Sequence, residues 1–163
     1  MSTAQPTTQP AAERRAAEAE LRRLVAKFTP SEARLAGAVR RWLRKRLPTA
    51  FEVVYEYRDC FVTSWSPSER GYEGVFAIRG SEEGVRLYFN AGKGLPDPEK
   101  LLRGSGGKAR YIDVEGASTL ARPAVAGLFK GAMARSRVPF ARTGRGPVVL
   151  SPALGKKGKR GRA

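Results

Sequence analysis

Few residues in this chain are equipped for chemistry. Histidine is absent and cysteine occurs once, as Cys60. A Ser–His–Asp or Cys–His nucleophile system therefore cannot be built, nor can a zinc site of thiols and imidazoles. An internal disulfide is excluded as well, and nothing points to an oxidising compartment. Glu52 and Glu56 share a face of one alternating segment. At the rise of a strand they stand about 13 Å apart, too far to share a proton or a metal ion. Glu82 and Glu83 fall in a turn and read as solubilising charges. Cys60, with Arg58 nearby, reads as packing or as a somewhat activated thiol. The expectation is a protein that is not an enzyme, because acid–base work would fall to Lys, Tyr or an isolated acid.

What the chain has in abundance is positive charge. It carries 31 Lys+Arg against 15 Asp+Glu, a formal charge of +16. The last 48 residues, 116–163, hold 11 basic side chains and no acid. Such a stretch is either a polyanion-binding arm or a solvated tail. Its basic residues are Arg142, Arg145, Lys156, Lys157, Lys159, Arg160 and Arg162 beyond the last predicted helix. Interleaved glycines and the lack of aromatic side chains around residues 156–162 suit non-specific phosphate contact, without base stacking. A second basic cluster surrounds Gly104, Ser105, Gly106 and Gly107. The Gly-rich run follows a predicted helix and precedes a strand, the reverse of a phosphate loop, so it reads as a helix stop and tight turn. The alternative is an anion nest made by Ser105, Gly106 and Gly107 with Lys93, Arg103, Lys108 and Arg110 around it. Tyr88 and Tyr111, with Arg86 and Asp113, fall on one face of the predicted sheet. They are either part of a solvated or loop-covered face or a surface able to stack bases.

Elements must position these groups. Residues 1–12 lack periodicity and read as a disordered extension. From about residue 13 to residue 28 Leu21, Leu24, Val25 and Phe28 make a helical stripe, with Glu18 and Arg22 as an i, i+4 pair. Thr29, Pro30 and Glu32 form a capping box that opens a second helix to about residue 46. Leu35, Val39, Trp42 and Leu43 form its buried face, Arg34, Arg41, Arg44 and Lys45 lie away from it, and Pro48 stops it. Strands are expected near residues 51–57, 61–65, 75–79, 85–90 and 111–115. Phe51, Val53, Tyr55 and Tyr57 alternate with Glu52 and Glu56. Asp97 and Pro98 look like the start of a short helix ending near Arg103. Pro123 opens a last helix to about residue 136. Residues 139–163 read as a basic, mostly disordered tail, although Val148, Val149 and Leu150 form a short apolar run.

Helices before and after a run of strands argue for an α+β fold. The expected form is a five-stranded antiparallel meander with two N-terminal helices and one C-terminal helix on one face. Residues 13–138 form its single domain.

Several segments carry a family resemblance. Residues 55–65, the run Gly94-Leu-Pro-Asp-Pro98 followed by Leu101-Leu-Arg-Gly104-Ser-Gly106, and Tyr111-Ile112 ahead of a Pro-initiated helix resemble the YdhG-like domain of unknown function. The similarity spans about residues 21–137. It implies a small bacterial α+β domain related in shape to frataxin. Some relatives are described as intracellular iron chaperones for iron–sulfur and haem assembly. Iron wants carboxylates or imidazoles. The second helix here carries Arg34, Arg40, Arg41, Arg44, Lys45 and Arg46 against Glu32 alone, so no metal residues are carried over.

No apolar run approaches the length of a membrane span, and residues 1–17 lack the apolar core of a signal peptide. The sequence thus reads as a cytoplasmic, non-catalytic binding module for an anionic ligand, with nucleic-acid contact through its tail and no cofactor. The alternatives are an iron chaperone, with iron as cargo, or an enzyme of unknown reaction.

Overall fold

A computed structural model describes residues 8–151. Two helices come first, α1 (Ala11–Val25) and α2 (Pro30–Arg46). Strands β1 (Phe51–Glu56), β2 (Cys60–Ser66), β3 (Phe76–Ser81), β4 (Gly84–Phe89) and β5 (Arg110–Val114) follow. A 3-10 turn, Gly71–Glu73, lies between β2 and β3. The short helix α3 (Ala117–Leu120), then α4 (Pro123–Ala134) and β6 (Val148–Leu150), complete the described residues. The α+β class is as the sequence reads. No helix among the described residues is long and apolar enough to cross a membrane.

The capping box forms at the start of α2. Thr29 Oγ1 accepts from the Glu32 amide at 3.1 Å, and Glu32 Oε1 accepts from the Thr29 amide at 3.2 Å. Ala36, Val39 and Leu43 bury the inner face of this helix. Phe129 on α4 stacks on Phe76 of β3, with centroids 4.7 Å apart, and meets Trp42 of α2 edge-on at 5.4 Å. The helices thus share one face of the sheet, over a core that includes Val54, Trp65, Phe76, Ile78, Leu87, Phe89 and Ile112.

The sheet corrects the expected topology. Its order is β5-β4-β3-β2-β1-β6, and β6 runs parallel to β1. The five expected strands do pair as an antiparallel meander, but the described residues form a six-stranded mixed sheet. The reason is the apolar run assigned to the tail. Val148 and Leu150 pair with Glu52 and Val54, and Val148 is 1% exposed. Burying one such side chain contributes about 1.5–3 kcal/mol, enough to recruit a three-residue edge strand. The amino-terminal segment locks it. The Gln9 amide donates to Val148 O at 2.8 Å, and its carbonyl accepts from Val148 N at 3.1 Å. Residues 8–12 are therefore not part of a structureless extension: α1 begins at Ala11.

The expected helix from Asp97 to Arg103 does not form. The Asp97 carboxylate instead accepts from the Leu101 and Leu102 amides, both at 2.9 Å, and Lys100 takes a positive φ of 55°. That left-handed residue ends any helical repeat. Arg103 then pairs with Tyr111 across an isolated antiparallel bridge.

Candidate functional site

The α1 helix places Arg14, Glu18 and Arg22 one turn apart along one stripe, with Arg15 beside it. On the sequence alone Glu18 pairs with Arg22. In the structure it turns to Arg40 of α2, 3.2 Å away, which leaves Arg22 without that partner. Arg40 in turn forks onto Glu52 at 2.8 and 2.6 Å. Burial alone would lower the Arg40 pKa, but hydrogen bonds and charge from Glu52, then Glu18, raise it instead. Glu52 is 0% exposed. It is therefore a structural counter-ion under the helices rather than half of an acid pair. Glu56 belongs elsewhere, held by Lys27 at 2.5 Å and Arg23 at 3.2 Å.

The return of the chain to β6 brings a further guanidinium to the α1 stripe. Gly146 seats this segment: its amide donates to Pro48 O at 2.8 Å, and a Cβ there would lie 1.7 Å from Ala50 O. Only glycine fits so close a backbone approach. The preceding residue, Arg145, then lines an open cleft of about 660 Å³ with Thr8, Gln9, Arg14, Arg15 and Arg22. Among the described residues Glu18 is the one acid on its walls, and it is already paired with Arg40. Arg14 donates to Gly146 O at 3.0 Å. Burial, then the neighbouring Arg145 charge, lowers its pKa. Among the described residues no carboxylate pairs with Arg14, Arg15, Arg22 or Arg145. Ala11, the first residue of α1, also lines the cleft, and Pro10 at the N-cap supplies no side-chain acceptor. The positive end of the α1 dipole lies at this first turn, where Glu13 partly offsets it.

One more arginine lies behind this wall. Arg44, expected on the solvated side of α2, lies with its guanidinium 4.5 Å from the centre of the Trp65 ring. Its Nη1 donates to Ala50 O at 2.8 Å and Pro48 O at 3.2 Å, and its Nη2 is buried with no hydrogen-bond partner among the described residues. Burial, which outweighs the attraction of Glu52, brings its pKa down to about 10; Arg14, Arg40 and Arg145 push the same way.

The structure brings the residues of the expected anion nest together only in part. Arg110 is committed to Gly106 O and Ala109 O, both at 2.7 Å. Arg103 leans on Asp113 at 3.7 Å and lines a cleft with Lys100 and Arg122. Lys108 lines a different one, of about 510 Å³, with Tyr72, Asn90, Arg135 and Arg137. The Lys93 amide donates to Lys108 O at 2.9 Å, while Lys93 O accepts from Arg135. Ser105, Gly106 and Gly107 are exposed. Of the expected tail contacts, Arg145 lines the arginine cleft and Arg142 is exposed. Lys156, Lys157, Lys159, Arg160 and Arg162 lie outside the described residues.

Cys60 is half-buried, and burial raises its thiol pKa against the opposing pull of Arg79. That favours the protonated thiol over an activated one. Among the described residues there is no group of three or more His, Cys, Asp or Glu side chains able to share a metal ion.

The arginine stripe of α1 was open to sequence reading through the spacing of Arg14, Glu18 and Arg22. The arrival of Arg145 was not, because it depends on β6. No protein-family model, curated protein or solved structure matches the chain.

Proposed function

We propose that this protein is a cytoplasmic, non-catalytic binding module for an anionic ligand, seated in the cleft of Arg14, Arg15, Arg22 and Arg145. The observation that carries this reading is the gathering of four guanidinium groups around one open cleft whose recorded acid is already paired with Arg40. Like charges held together raise the energy of the empty site, and a bound anion relieves it. Guanidinium forks suit phosphate and carboxylate oxygens. The cleft volume is of the order that takes small-molecule ligands. The basic residues from Lys156 to Arg162 add long-range attraction for a polyanion such as nucleic acid.

This reading is compatible with the YdhG-like resemblance but does not rest on it, since Arg14, Arg15 and Arg145 lie outside the similar span. The donor set gives the iron-chaperone alternative no particular support, because Glu52 is buried against Arg40 and Glu56 is tied to Lys27 and Arg23.

Calorimetric titration of the full chain with pyrophosphate at low salt tests the proposal. Arg15 and Arg145 are exposed, so Arg15→Gln with Arg145→Gln should leave folding intact. The pair should weaken pyrophosphate binding about ten-fold or more, at the usual worth of charge-assisted hydrogen bonds. No heat from the native chain, or equal binding by the variant, refutes the seat.

A further inference from the structure

The helix-free face of the sheet carries a different surface. Tyr88 and Tyr111 stand directly opposite each other on β4 and β5, with ring centroids 5.1 Å apart and a tilt of 40°. The Arg86 guanidinium lies 4.2 Å from the centre of the Tyr111 ring. It is held there by Asp113 at 3.3 Å, which also meets Arg103 at 3.7 Å. Arg103 is 70% exposed. Its backbone bridges Tyr111, and Gly104, at a φ of +110°, turns the chain against the edge of the Tyr111 ring. Residues 104–108 then run exposed along the border of the pair. Beyond the end of β4, a cleft of about 510 Å³ is lined by Lys108 and by Tyr72, which is 84% exposed, together with Ala132 of α4 and Arg137 just after that helix. The 67–74 loop is tied to β2 by a hydrogen bond from Ser64 Oγ to Gly71 O, at 2.7 Å, and to the end of β4 by Asn90 Nδ2, which donates to Gly74 O at 2.9 Å. Tyr88 and Tyr111 are partly buried yet keep some surface open to solvent.

We infer that Tyr88 and Tyr111 form a platform on which unpaired bases of a single-stranded nucleic acid stack, with Arg103 and Lys108 placed to meet its phosphates. Aromatic rings on a sheet face and a guanidinium plane beside them offer flat π surfaces to any base. The basic border and the formal charge of +16 complement a phosphate backbone. The platform is a site separate from the arginine cleft. It lies at the β5 edge, whereas the cleft adjoins β6 across a six-stranded sheet, about 24 Å away at the usual strand spacing.

Fluorescence anisotropy on the full chain tests the platform with two labelled strands of about ten nucleotides, one of thymidine and one abasic. The two carry equal charge and differ only in their bases. The thymidine strand should bind about ten-fold tighter or more. Tyr88→Leu with Tyr111→Leu should abolish that preference and leave the abasic affinity unchanged, whereas Tyr88→Phe with Tyr111→Phe should keep it. Equal affinity of the native chain for both strands overturns the inference, as does binding of neither. A folded Leu variant that still prefers thymidine overturns it too. If the Leu variant fails to fold, the native comparison alone decides. Because the cleft is probed with pyrophosphate and other variants, failure here is separable from failure there.

Discussion

At the scale of single residues, Glu52 ties the helix layer to the sheet through a buried charge. It is 0% exposed and answers Arg40, whose own side chain is 26% exposed. Removing one partner of such a pair strands the other charge, at about 3–5 kcal/mol. Glu52→Ala should lower unfolding stability by that order in urea titration. Joint replacement of Arg40 and Glu52 by Met should recover most of it. Glu56 gives a pH signature. The hydrogen bond from Lys27 first, then the Lys27 and Arg23 charges, hold its pKa below the ordinary range. A carboxylate depressed on folding contributes stability that is present above the unfolded pKa, about 4.3. That contribution is lost as pH falls through the lower folded value. Chemical denaturation at a series of pH values should show this acid-side loss, reduced in Lys27→Ala. Alternation correctly separated Glu52 from Phe51 and Val53. It did not show which side the helices cover, because Phe51 and Val53 are buried as well.

At the scale of elements, the start of α2 was fully legible, since Thr29, Pro30 and Glu32 specify it with local chemistry alone. Thr29→Ala should cost about 1 kcal/mol, read as a lower urea midpoint with an unchanged slope. The β6 strand was not legible. A three-residue apolar run gives no period, and its parallel partner β1 lies nearly a hundred residues earlier. The Glu52 amide donates to Pro147 O at 2.9 Å. Deleting residues 147–163 should therefore speed hydrogen exchange at the Glu52 amide. The lost helix at Asp97 has a local cause. An Asp at an N-cap and an Asp that closes a loop look alike in sequence, because the same carboxylate accepts nearby amides in both.

Over the whole molecule, the charge imbalance was plain from composition, while its focus was not. Arg145 belongs to the basic carboxyl-terminal stretch by sequence, and the fold attaches it to α1. A truncation meant to isolate the tail must therefore begin at residue 152, beyond β6. It removes Lys156, Lys157, Lys159, Arg160 and Arg162. If each meets a duplex phosphate, the log–log salt slope of DNA binding should fall by about 4.5. An unchanged slope would exclude the tail as the contact. The central claim is that the arginine cleft is the seat of an anion, and amide chemical-shift mapping of the full chain during pyrophosphate addition tests it most directly. The account predicts saturable shifts concentrated at Gln9, Ala11, Arg14, Arg15, Gly144, Arg145 and Gly146. Saturable shifts at Ser105, Gly106, Gly107 and Lys108 with none in the cleft, or no saturable shift anywhere, would contradict it.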